Sequence, residues 1–116
     1  MTRCVCLTND IAREVEWQQA DVASHLGGRV TFVGSIAQLN VVIVGRVHAA
    51  TDTVNPFCSL LAPYMFEYSK CVHGPLALVG SDDDGEECDV DVAALQEVLQ
   101  SAEIIRIRDG DLHANV

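Results

Sequence analysis

The chain has 116 residues, enough for one domain with a single hydrophobic core and no need of disulfide staples. Its 49% apolar content and only 3 prolines exclude a disordered chain. A formal charge of −10 opposes binding to nucleic acid or an anionic membrane, both of which require a basic footprint; it suits a basic protein partner, a cation or plain solubility.

Five cysteines, Cys4, Cys6, Cys58, Cys71 and Cys88, are an odd number. The N-terminal stretch holds no apolar run of signal-peptide length, and no segment approaches ~18 continuous apolar residues. These features predict a cytoplasmic protein with reduced thiols.

Taken in order, Cys4 to Thr8 is short and apolar and reads as a strand. Asn9 or Asp10 could then cap a helix carrying Ile11, Val15, Val22 and Leu26 on one stripe. The stripe is thin at first, because Glu14, Glu16, Gln18 and Gln19 interrupt it. The firmer helix spans about 18–26, with Gly27-Gly28 as a left-handed stop and Trp17 as an anchor at its start.

A hairpin over about 30–47 follows, with Val30, Phe32 and Gly34 expected on one face of its first strand. Its second strand holds Val41-Val42-Ile43-Val44, four branched apolar residues in a row. That run predicts a strand buried on both faces at the centre of the core.

The region 48–73 is irregular: Asn55-Pro56 and Pro63 break any period. Such long loops tend to be functional or mobile. This one holds four of the six aromatics, Phe57, Tyr64, Phe66 and Tyr68. They either close the open edge of the core or form an interface.

Gly74-Pro75 opens a strand at 76–80, ended by Gly80-Ser81. The segment from Asp82 to Asp91 carries seven carboxylates in ten residues and turns at Asp84-Gly85. Asp89 or Asp91 caps a second helix at about 91–101, with Val92, Leu95, Val98 and Leu99 on one face. Ile104 to Arg108 alternates as an edge strand would, and 109–116 reads as a loose polar tail. The expected fold is a single α+β domain: a small, mostly antiparallel sheet packed with two helices.

The order Leu26-Gly27-Gly28-x-Val30, Asn55-Pro56, Gly74-Pro75-Leu76-Ala77-Leu78-Val79 and Asp82-Asp83-Asp84-Gly85 resembles small uncharacterised domains of phages, large DNA viruses and microbes. These are grouped as the DUF3846 and DUF5880 families. The likeness spans roughly 18–100, the scale of one domain. It rests on glycines and turns, so it implies an α+β element order and supplies no catalytic residue.

Three constellations could carry chemistry. Set on the EF-hand template with Gly85 at the glycine position, the acidic run puts Asp82 and Asp84 on ligand positions. The first position is then Gly80 and the last is Asp91, so the template fails at its two most demanding places. A solvated turn is the simpler reading. Cys4-x-Cys6 and Cys71-x-His73, each on extended chain, could present four ligands as a tetrahedral Cys₃His zinc site; the simpler reading is core cysteines. Cys58 or Cys71 could pair with His48 or His73 as a thiol nucleophile, but no local signature surrounds them. No glycine pattern for a nucleotide phosphate is present.

The sequence therefore predicts a non-enzymatic, cofactor-free interaction module that binds a protein partner or its own copy. Its surface would use Phe57, Tyr64, Phe66, Tyr68, Asp82, Asp83 and Asp84. One alternative is an acidic inhibitor that mimics nucleic acid and blocks a basic protein, since nine acids and no Lys or Arg lie between Lys70 and Arg106. The other is a Cys/His metal-binding protein or small thiol enzyme.

Overall fold

A computed structural model describes residues 2–46, 54–66 and 73–115. Eight strands form one antiparallel sheet. They are β1 (Thr2–Thr8), β2 (Ile11–Trp17), β3 (Val30–Ile36), β4 (Val41–Arg46), β5 (Leu76–Ser81), β6 (Glu87–Cys88), β7 (Ile105–Arg108) and β8 (Asp111–Ala114). The order across the sheet is β3-β4-β5-β1-β2-β8-β7, with β6 pairing the end of β5. Three helices, α1 (Val22–Leu26), α2 (Phe57–Leu60) and α3 (Val92–Ser101), complete an α+β fold. No described helix is long and apolar enough to cross a membrane.

The sheet is buried from both sides because side chains alternate along each strand. On one face Val5, Leu7, Ile43, Leu76 and Leu78 pack with Phe57, Cys58 and Leu61 from α2 and its C-terminal end, and with Leu95 and Leu99 of α3. On the other, Cys4, Val44, Ala77 and Val79 pack under Val22 and Leu26 of α1. Fully burying side chains of this size contributes about 1.5–3 kcal/mol each before conformational entropy is set against it.

Several expectations hold. The 30–47 hairpin, the 76–80 strand and the closing helix are present, although Val47 lies outside the described residues. Gly27 ends α1 with φ 89°. Asp91 caps α3, its side chain accepting from Ala94 N at 3.1 Å.

Five expectations are corrected. Ile11 to Trp17 is strand β2, not the start of a helix. Asn9 takes φ 54°, and Thr8 pairs with Ile11, so Asn9-Asp10 is a hairpin turn rather than a cap. Ile11 and Val15 share a strand face as readily as a helix stripe, which is why four-residue spacing misled. The first helix shrinks to α1 with a 3₁₀ turn at Gln19–Asp21, and Trp17 ends a strand.

The tail is not loose: β8 pairs with both β2 and β7. β4 is not the centre either. It lies second from an edge and Val42 is only partly buried, whereas β5 is buried from Leu76 through Gly80. Finally, the region 48–73 contains α2 and a 3₁₀ turn at Ala62–Tyr64, while 47–53 and 67–72 lie outside the described residues.

Candidate functional site

The aromatic segment is tied down by a single amide. Asn55 Nδ2 donates to Leu7 O at 3.0 Å and to Gly74 O at 2.9 Å, while Asn55 Oδ1 accepts from Phe57 N at 2.9 Å. This pins the start of α2 between the end of β1 and the entry to β5. Phe57 is consequently fully buried, which corrects its expected place on an interaction surface: it is a core residue. Tyr64 is partly buried and packs against the same core. Tyr68 lies outside the described residues.

Phe66 differs. Met65 is buried and bridges Gly34, and Phe66 N donates to Val33 O at 2.8 Å. The extended backbone at Met65 turns Phe66 away from the core, and the ring is 40% exposed. A bulge between Phe32 and Gly34 changes the expected facing of β3. Ser35, not Gly34, now shares the α1 side with Phe32, through pairing with Val42 and Val44. Phe32 is 58% exposed there, with Val30 and Val42 partly buried beside it. Two partly exposed phenylalanines therefore lie at one edge of the sheet. Sequence reasoning placed Phe32 on a strand but missed it as a surface residue. Its exposure follows from β3 being an edge, which no local pattern shows.

The acidic segment is a closed hairpin turn between β5 and β6. Asp82 Oδ1 accepts from Asp84 N at 3.0 Å and Glu86 N at 2.9 Å, and Asp82 N donates to Glu86 O. Asp82 thus spends carboxylate lone pairs on its own backbone, while Asp83, Asp84 and Glu86 face solvent. Beyond the turn the acids fasten to β1: Thr2 Oγ1 donates to Glu87, and Arg3 N donates to Asp89 at 2.8 Å. The Arg3 side chain meets Glu14 at 2.7 Å.

Among the described residues, Cys4 and Cys58 are buried while Cys6 and Cys88 are partly exposed. Cys4 and Cys6 share a strand face, as expected, but Cys4 is buried under α1. Burial, then the Glu87 carboxylate, pushes the Cys4 thiol above its ordinary value. Burial followed by Asp82 and Asp89 does the same to Cys88. A raised thiol is a poor nucleophile and a poor metal ligand near neutral pH. Cys58 is buried in the main core. Cys6 Sγ lies 3.2 Å from Thr8 Oγ1. His73 forms an isolated bridge with Val54, while Cys71 and His48 lie outside the described residues. Among the described residues no three His, Cys, Asp or Glu side chains are grouped to hold a metal ion.

An open cleft of about 290 Å³ lies beside the first hairpin, lined by Thr8, Asn9, Ile11 and Arg13. Among the described residues its lining pairs no general acid with a base. No family model matches the chain, and no curated protein or solved structure matches it significantly.

Proposed function

We propose that this domain is a non-enzymatic protein-interaction module that docks through its β3 edge. The observation that carries the reading is the exposure of Phe32 and Phe66 at one edge of the sheet, 58% and 40% respectively. Large rings at an interface bury much area at low entropic cost and supply most hot spots. The burial of Cys4 and Cys58 and the raised thiols of Cys4 and Cys88 favour binding over thiol chemistry. The resemblance to the DUF3846 and DUF5880 domains belongs to the same proposal, as a shared element order without a reactive centre.

The test is a pair of variants, Phe32→Ser and Phe66→Ser, followed by thermal unfolding, native mass spectrometry and binding of whichever partner the wild type retains. Folded variants that lose self-association or partner binding support the interface. Unfolding of both would show the rings to be packing, and unchanged association would remove the edge from consideration.

A second reading has its own support: Asp83, Asp84 and Glu86 are solvent-facing in a chain of charge −10. In that reading the acidic corner mimics nucleic-acid phosphates and blocks a basic protein. Binding to a basic DNA-binding domain would then weaken as salt rises, and a flat response between about 0.05 and 0.5 M salt would remove the idea.

A further inference from the structure

The first hairpin separates its charges by the alternation of its side chains. Arg3, Glu14 and Glu16 lie on the face that carries Val5 and Leu7, where Arg3 meets the two carboxylates at 2.7 and 3.9 Å. Arg13 takes the other face, opposite Cys6, which offers it no counter-charge. Asp10, at the turn, is engaged by His113 at 3.2 Å. Asp111 stands one step beyond the Ala12–Leu112 pair of the β2–β8 ladder, and no ion pair joins it to Arg13. Among the described residues Arg13 therefore has no ion pair, although the chain holds 17 acids against 7 Lys and Arg.

The layer above this face stops short of the turn. α1 packs over its Cys4 end, with Val15 and Trp17 beside it, and Thr8 and Ile11 are not part of that cluster. There Thr8, Asn9, Ile11 and Arg13 line the cleft of about 290 Å³. That is close to the lower limit of about 300 Å³ for a small-molecule pocket. Arg13 brings a guanidinium fork and Asn9 a side-chain amide, neither bonded to another described group. Thr8 Oγ1 lies 3.2 Å from Cys6 Sγ, and a hydroxyl that accepts that S–H still has its own proton to donate. Ile11, partly buried, supplies an apolar wall. The lining thus holds three kinds of donor, one positive charge and no carboxylate.

We propose that this cleft binds a small organic monocarboxylate. Arg13 holds the carboxylate bidentately, Thr8 and Asn9 donate to its remaining lone pairs, and Ile11 covers its apolar body. Charge decides against the other small ligands. The single guanidinium matches one negative charge. A phosphate dianion finds the same donors but meets Asp10, Asp111 and the −10 charge of the whole chain with doubled repulsion. An amine finds no carboxylate in the lining. The cleft lies on β1 and β2, which β4 and β5 separate from β3, so it stands independently of the Phe32 and Phe66 surface.

The test is a titration of the isotope-labelled full chain with pentanoate, pentanamide, pentylamine and inorganic phosphate, read by amide nuclear magnetic resonance shifts. Pentanoate should move the Thr8, Asn9 and Arg13 signals and bind at least about tenfold more tightly than the other three, more weakly as salt rises. Arg13→Gln should cost at least about tenfold in pentanoate affinity. Arg29→Gln removes another exposed arginine that has no described ion pair, and should leave binding unchanged. Asn9→Gly tolerates the left-handed φ of 54° and removes only the amide, so it should weaken binding severalfold in a folded protein. Shifts centred elsewhere, no shift up to about 20 mM pentanoate, equal affinity for pentanamide, tighter binding of phosphate, or full affinity in Arg13→Gln would each overturn the proposal. If the variants failed to fold, the contrast between pentanoate and pentanamide on the wild type would decide it alone.

Discussion

Asn55 is the one fully buried polar side chain among the described residues, and its amide joins three separate pieces of backbone. Replacing it with alanine strands the buried Leu7 carbonyl and Phe57 amide and the part-buried Gly74 carbonyl. Each orphaned group costs about 1–3 kcal/mol where water cannot reach it. Asn55→Ala should therefore lose roughly 2–4 kcal/mol by urea unfolding. Asn55→Asp should be at least as damaging, because a carboxylate keeps the Phe57 contact but turns acceptors toward two carbonyls. A loss under about 1 kcal/mol would show that water replaces the amide. Asn55-Pro56 was legible in the sequence as a break. Its role as a tie was not, since the Leu7 carbonyl lies 48 positions away in the chain.

At the scale of elements, β3 and the segment after α2 meet because position 34 has no side chain. A Cβ there would lie 2.3 Å from Tyr64 O and 2.8 Å from Met65 Cα, and both atoms are backbone that cannot step aside cheaply. Gly34→Ala should push 64–66 off the strand, break the Phe66 to Val33 hydrogen bond and destabilise by about 1–3 kcal/mol. Faster amide exchange at Met65 and Phe66, relative to β5, would check it; unchanged exchange would mean that β3 absorbs the methyl by shifting. The same scale shows where local pattern sufficed and where it did not. The capped stripe of α3 and the apolar run 76–79 of β5 each point to one structure. The Ile11 and Val15 spacing fits two, and β2 won because β1 and β8 lie on either side of it.

For the molecule as a whole, the C-terminal strand closes on the first hairpin. Ala114 N donates to Asp10 O at 2.6 Å, and His113 Nδ1 lies 3.2 Å from Asp10 Oδ2. The His113 hydrogen bond holds the Asp10 carboxyl below its ordinary value of 3.8. The unfolded chain therefore takes up this proton at a higher pH than the folded one. The stabilisation from Asp10 is complete above the ordinary carboxylate value and is lost as pH falls through the lowered folded value. Asp10→Asn should flatten the acid limb of a stability-against-pH curve measured by urea unfolding between about pH 4 and pH 2, with little change in its shape above about pH 5. Identical limbs in the two proteins would show the contact to be energetically silent.

What the sequence determined by itself is local: one α+β domain, the β3–β4 hairpin, β5, the Gly27 stop and the Asp91 cap. Each is set by neighbours within a few residues, through apolar period, turn chemistry or a side chain reaching its own backbone. Only the tertiary structure decided that β2 is a strand, that the polar tail is β8, and that Phe57 is core while Phe32 and Phe66 stand at an edge. Those outcomes depend on the lateral order of strands, set by pairing between segments up to about a hundred positions apart, as in Ile11 with His113. A strand's own residues record which side chains alternate, but the neighbour on each side decides which of them water reaches.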